Sequence, residues 1–317
     1  MLTGLWHHIS ERPRLSALAL GLLSATGFQP LGLWPLALAA MAAFAALIAE
    51  APDAKRAAVL GWLFGITHFT LSNNWIAEAF THQAEMPAVL GWAAVPLLSL
   101  YLAIYPAIAA LGARAIAGRQ LGWPLAFAFA ACWTVSELLR AEVFTGYSWN
   151  PFATILLGGF DRPGIAALSP WTGTYALSGF AVFIATALAL LVRERRLLPA
   201  AIVAVLLGVG MYLPARPTPD GSLRFTLVQP NFEQARISDP AYYEANFVRL
   251  AELGLPRAGG EKRVVLWPEA GLADYLRPGY PQRYYDHTTA LGDPAFARRR
   301  IGRLIGSSSG RIGRYSP

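Results

Sequence analysis

Glu269 ends the run Leu266-Trp267-Pro268-Glu269, and a carboxylate just beyond a short apolar strand is the side chain in this sequence best suited to accept a proton. Held in a poorly hydrated pocket, such as Trp267 and the strand can supply, a carboxylate titrates at a higher pH than in water. It can then take the proton of a thiol whose own pKa is about 8.5. The plainer reading is a carboxylate that caps the strand end or meets solvent. Glu137 and Arg140 lie three apart on one helix face near its end, where charge is costly unless paired or wet. They read either as a structural ion pair or as a site for a lipid or peptide head group. Asn73-Asn74-Trp75 reads as a polar helix end with an interfacial aromatic anchor, or as a substrate contact. His68 has no second His, Cys or carboxylate at ligand spacing, so it reads as a satisfied buried histidine and no metal is expected. Cys132 is the only cysteine and sits in an apolar run, so no disulfide can form within the chain.

These residues are carried by a chain of 317 residues that is 55% hydrophobic and 14% charged, too apolar for an ordinary soluble protein of this size. Long apolar runs predict seven membrane spans: Leu15 to Thr26, Leu33 to Ile48, Ala57 to Asn73, Ala88 to Ala115, Pro124 to Leu139, Ile165 to Val192 and Leu197 to Leu213. The first two are short, and the break at Gly27-Phe28-Gln29-Pro30 also fits a re-entrant pair. With seven spans, one side receives Arg12, Arg14, Lys55, Arg56, Arg114, Arg119, Arg193, Arg195 and Arg196, and the other only Arg140 and Arg162. That bias places the N-terminus in the cytoplasm and everything after Pro217 outside it. The net charge of +7 thus reads as loop charge for topology, with weak attraction to anionic lipid and no nucleic-acid partner.

After Pro217 the composition becomes that of a soluble α/β domain, giving a division into residues 1–217 and 218–317. Leu223, Phe225 and Leu227 alternate with Arg224, Thr226 and Val228, as a strand with one buried face requires. Asp239-Pro240 reads as a helix start, and Tyr243, Phe247, Leu250 and Ala251 follow at helical spacing. Arg263 to Trp267 reads as a second strand, and Val264-Val265-Leu266 lacks alternation, which predicts burial on both faces. Leu304 to Ser309 reads as the start of a third. Glu269 then sits at the carboxyl edge of the sheet, where α/β folds place their chemistry.

The order and spacing of Gly27-Phe28-Gln29-Pro30, Trp34-Pro35, Asn74-Trp75, Glu137-Leu138-Leu139-Arg140, Thr145-Gly146-Tyr147-Ser148-Trp149, Val228-Gln229 and Trp267-Pro268-Glu269 resemble bacterial apolipoprotein N-acyltransferases, over roughly residues 12–309. The resemblance implies a multi-span α-helical membrane bundle followed by a partial α/β nitrilase-like (α-β-β-α) domain in the periplasm of a bacterial inner membrane. It implies transfer of an acyl chain from a membrane phospholipid to the amine of a diacylglyceryl-cysteine lipoprotein, by a monomer without cofactors. A Glu-Lys-Cys triad carries that reaction in the family, and by position Glu269 is its general base. Asn74, Trp75, Glu137, Arg140, Trp149 and Gln229 are the candidate substrate contacts.

The chain departs from the family pattern beyond Glu269. No lysine follows Lys262 and no cysteine follows Cys132, and about 100 residues follow Pro217, fewer than a complete nitrilase-like domain. An early stop, a frameshift or a gene fragment is therefore expected, with no catalysis by this chain alone and a poorly folded second region. Ile237-Ser238 also stands where the family carries Lys-Trp. Two other functions remain open: a membrane-anchored amidase of the nitrilase type sharing Glu269, and a transport or lipid-binding protein built on Asn74, Glu137 and Arg140.

Overall fold

In lipid every backbone polar group needs an internal partner, and long runs of Ala and Leu meet that need by forming helices. The computed structural model describes residues 10–82, 87, 89–143, 146–159, 162–214, 219–237, 239–255, 263–268, 272–273, 275–288 and 293–306. The chain divides into two compact units, Met1–Thr81 with Met86–Arg216, and His82–Glu85 with Pro217–Pro317.

The first unit contains α1 (Pro13–Ala25), α2 (Trp34–Glu50), α3 (Ala54–Ser72), the short α4 (Ile76–Ala79), α5 (Val89–Leu102), α6 (Ile104–Ala117), α7 (Trp123–Glu142), the short α8 (Ser169–Thr172), α9 (Thr174–Arg193) and α10 (Leu197–Tyr212). Prolines stand in the first turns of α1, α2 and α7, where no amide hydrogen is needed. Asp53 caps α3 by accepting from the amide of Arg56 at 2.8 Å. Helix is thus present in all seven expected segments. Two boundaries differ. Residues Gly164–Leu168 form a 3-10 turn and Gly173 takes a φ of 78°, so the sixth helix starts at Thr174 rather than Ile165. The fourth segment is interrupted at Ala103, because the ring of Pro106 crowds the carbonyl of Leu102.

Two of these helices are long and apolar enough to cross a membrane, Val89–Ala117 (29 residues, α5 with α6) and Thr174–Arg193 (20 residues). Pro13–Ala25, Trp34–Glu50 and Leu197–Tyr212 are shorter apolar helices. The outward faces carry Trp92 (78% exposed), Leu97, Ile116, Leu198, Val205 and Leu206, a surface suited to lipid rather than to water.

Packing closes a ring. α1 touches α2 and α3, α3 touches α6, α6 touches α7, α7 touches α9, and α9 returns to α2. The ring is filled, not hollow. Phe44 stacks on Phe64 at 4.2 Å, and Phe129 and Trp133 meet edge to face at 5.7 Å inside it. Trp133 in turn meets Phe152 at 5.9 Å, from a 3-10 turn at Phe152–Leu156. Close helix approach depends on small residues. A methyl group on Gly65 of α3 would lie 2.8 Å from Ala103 Cα, and one on Gly112 of α6 2.8 Å from the Cys132 sulfur of α7.

The described part of the second unit is a parallel pair, β1 (Phe225–Leu227) and β2 (Val264–Leu266), in the register Phe225↔Val264, Thr226↔Val265 and Leu227↔Leu266. Between them run α11 (Gln234–Ile237) and α12 (Tyr243–Gly254), and after them α13 (Gln282–Thr288) and α14 (Pro294–Gly306). Asp239 accepts from the amide of Ala241 at 2.9 Å and starts the turn that leads into α12. α12 buries Phe247, Leu250 and Ala251. It covers the sheet face of Thr226 and Val265, because Gly254 abuts Val265 and Phe247 meets the Trp267 ring. The expected burial is therefore reversed for β1 and halved for β2. Phe225, Leu227, Val264 and Leu266 form the other face and are 40% (Val264) to 68% (Leu227) exposed. Leu304 to Gly306 end α14 instead of opening a strand, and Ser307 to Ser309 lie outside the described residues.

Candidate functional site

The last two turns of α7 point polar side chains at the end of the ring. Glu137 and Arg140 are 0% and 1% exposed, so they face the protein and not the surroundings. Glu137 Oε1 accepts from Trp133 Nε1 at 2.9 Å and from the backbone amide of Phe152 at 2.8 Å. Arg140 Nη2 approaches the same oxygen at 3.5 Å, an ion-pair contact longer than a good hydrogen bond. Arg140 Nε donates to the carbonyl of Ser148 at 3.2 Å, and its guanidinium lies over the Phe69 ring at 5.1 Å. Among the described residues Glu137 Oε2 and Arg140 Nη2 have no hydrogen-bond partner.

Beyond α7 the chain turns sharply. Trp149 and Asn150 have φ values of 46° and 53°, two successive side chains in the left-handed region. Such a residue costs on the order of 1–3 kcal/mol and persists only where its surroundings impose it. Asn150 Nδ2 donates to the Ser72 carbonyl at 3.1 Å and to Asn73 Oδ1 at 3.0 Å, which ties this turn to the end of α3. Ala153 is fixed by Ser178, whose hydroxyl accepts its amide at 2.8 Å. The result is an aromatic group: the exposed Tyr147 meets the half-buried Trp149 edge to face at 4.9 Å, and Trp75 is exposed at the neighbouring turn. Amphipathic rings of this kind settle where lipid meets water.

Asn74, Trp75, Glu137, Arg140 and Trp149 thus gather at one end of the helical ring. Asn74 is exposed; the buried partner is Asn73. Asn73 belongs to the polar helix end expected at Asn73-Asn74-Trp75, whereas Asn150 and Phe152 are the participants that spacing did not single out. His68 is buried, its Nδ1 2.7 Å from the Ser24 hydroxyl, which also donates to the Gly21 carbonyl at 2.8 Å. No group of three His, Cys, Asp or Glu among the described residues could hold a metal ion.

In the second unit Gln229 is exposed just past β1, and Trp267-Pro268 follow β2. The strands are parallel, so both segments leave the same carboxyl edge. Trp267 packs on Phe247 at 6.2 Å, and its Nε1 is buried without a partner among the described residues. Glu269 lies outside the described residues.

The sequence model of the family described as the apolipoprotein N-acyltransferase N-terminal domain matches residues 20–187. A putative apolipoprotein N-acyltransferase of Bordetella parapertussis is 34% identical over 272 residues, 77% of this chain and 49% of that protein. An apolipoprotein N-acyltransferase of Ralstonia nicotianae is 37% identical over 186 residues, 57% of this chain and 34% of its own. One of Vibrio cholerae is 28% identical over 271 residues, 84% of this chain and 52% of its own. The chain spans about half the length of the curated relatives it matches.

Proposed function

Because the chain belongs to the apolipoprotein N-acyltransferase family, an acyltransferase family of lipoprotein biosynthesis, we propose that it is the membrane bundle and the start of the transfer domain of such an enzyme. The match over residues 20–187, which spans the helical ring and its polar end, carries this reading. The donor is a membrane phospholipid and the acceptor the N-terminal amine of a diacylglyceryl-cysteine lipoprotein. The apolar helices form seven crossings of the inner membrane of a monomer, with the N-terminus in the cytoplasm and residues from 218 onward, the beginning of a nitrilase-like domain, in the periplasm.

Glu269 is the general base. It takes the proton of a cysteine thiol, and the thiolate attacks the ester carbonyl of the donor. The C–O bond breaks, the lysophospholipid leaves with the proton, and a thioester remains while a lysine steadies the oxyanion. The lipoprotein amine then attacks the thioester, an amide forms, and the thiol is regenerated. Asn74, Trp75 and Trp149 in the first unit, with Glu137 and Arg140 behind Trp149, and Gln229 in the second unit are the substrate contacts. These 317 residues contain no cysteine except Cys132 and no lysine except Lys55 and Lys262, so the triad is not complete within them.

The test is a transfer assay with a diacylglyceryl peptide and phosphatidylethanolamine in detergent. The 317-residue chain is expected to leave the peptide mass unchanged, whereas a form carrying the lysine and cysteine adds one acyl chain and loses at least a hundredfold in rate with Glu269→Gln. Acylation by the 317 residues alone would remove the triad mechanism.

A further inference from the structure

We infer that Glu137 and Arg140 are positioning residues: a buried ion pair whose role is to hold the 147–152 turn, and with it Trp149 and Asn150, in its left-handed conformation. An ion pair at 0% and 1% exposure is a costly way to gain stability, since apolar side chains of similar volume do as well in such a place. The contact between the charges is also poor, 3.5 Å with one carboxylate oxygen and one guanidinium nitrogen lacking hydrogen-bond partners among the described residues. What apolar groups could not do is bond the backbone. Glu137 takes the amide of Phe152, and Arg140 donates to the carbonyl of Ser148, so the two charges grip the turn on either side of Trp149 and Asn150. Those two residues carry the positive φ values, a conformation that needs an external hold. Asn150 passes the hold on to Ser72 and Asn73, which fixes two turns from distant parts of the sequence to each other. Trp133 completes the grip by orienting Glu137 from one helical turn away.

The link to catalysis rests on the proposal that this turn meets substrate, but the grip itself is testable without activity. The full chain in lipid nanodiscs is compared with Arg140→Lys, Glu137→Gln and the double variant Glu137→Leu/Arg140→Met, reading amide exchange and the fluorine resonance of 5-fluorotryptophan at position 149, assigned by Trp149→Phe. Arg140→Lys keeps the charge but has no planar fork to reach Ser148. Expected is at least a tenfold rise in exchange over residues 148–153 and a displaced Trp149 resonance, with exchange in α2 and α9 changed less than twofold. The double variant leaves no lone charge, so it melts within a few degrees of the parent yet shows the same loosened turn. Exchange that rises equally through the whole ring, or a double variant that keeps both the protection and the resonance, overturns the inference. A failed transfer assay with these readouts intact removes the proposed activity and leaves the positioning role standing.

Discussion

Arg114 shows how a charged side chain in an apolar unit finds its use. Its Nε donates to the Ala51 carbonyl at 2.9 Å and Nη2 to the Pro52 carbonyl at 3.1 Å, so it closes the C-terminal end of α2, where carbonyls have lost their helical partners. Arg114→Ala should lower stability by about 1.5–3 kcal/mol, the range for hydrogen bonds to a charged group. A thermal midpoint measured in detergent checks this, with Arg114→Lys falling between, since one ammonium is a poor match to two carbonyls. At this scale the sequence was only partly legible. Glu137 and Arg140 stood out because two charges in an apolar run have few explanations. Asn74 stood out because it precedes Trp75, yet Asn73 is the residue turned inward. Neighbours on a helix differ by about 100° in direction, and the phase of α3 is set by packing that a single sequence does not display. Asn150 had no signature, because nothing in its spacing announces a left-handed turn.

Among the elements, helices were legible wherever a run was long and apolar, and boundaries failed where a short residue or a proline intervened. Gly173 delays α9 and Pro106 breaks the fourth segment at Ala103. The strands were found in place, but β1 turns the other face inward and β2 buries one face instead of two, since Phe225, Leu227, Val264, Val265 and Leu266 leave both faces apolar and only the position of α12 decides between them. Two glycines give a paired test of the ring. Gly65→Ala pushes a methyl to 2.8 Å from Ala103 Cα and should cost about 1–3 kcal/mol, whereas Gly208→Ala on α10 has open space and should be neutral or stabilise by up to about 1 kcal/mol. Differential thermal stability in one detergent distinguishes them.

A second prediction concerns α14. Arg300 Nη1 donates to Glu244 Oε2 at 2.6 Å, and this bond holds the Glu244 carboxyl below its usual 4.5. A carboxyl depressed in the fold stabilises it above the ordinary value and loses that contribution as pH falls through 4.5 and beyond. Docking of α14 on α12 should therefore weaken on acidification. The Glu244 side chain is 59% exposed, so solvent screening keeps the effect below about 1 kcal/mol. Amide protection factors over residues 294–303, which already correct for the pH dependence of intrinsic exchange, should fall with acid in the parent, and Glu244→Gln should show no such fall.

At the scale of the whole chain, the two units obey different solvents. The helical ring packs Phe44, Phe64, Phe129 and Trp133 inside and presents both aliphatic and aromatic side chains outward, while the second unit leaves the face of Phe225, Leu227, Val264 and Leu266 without cover among the described residues. An open apolar sheet face invites association. Leu227→Thr with Leu266→Thr should raise the temperature at which the full chain aggregates, measured by light scattering. An unchanged onset would mean that this face is already occupied.

The filled interior of the ring has a further consequence. Among the described residues, the side chains of Phe44, Phe64, Phe129, Trp133 and Phe152 fill the interior of the ring where an acyl tail would have to pass along its axis. On the function proposed above, a donor lipid is drawn sideways from the single leaflet that borders the 73–75 and 147–152 turns. Vesicles whose donor lipid is confined to the opposite leaflet should support a reaction only as fast as that lipid flips on its own.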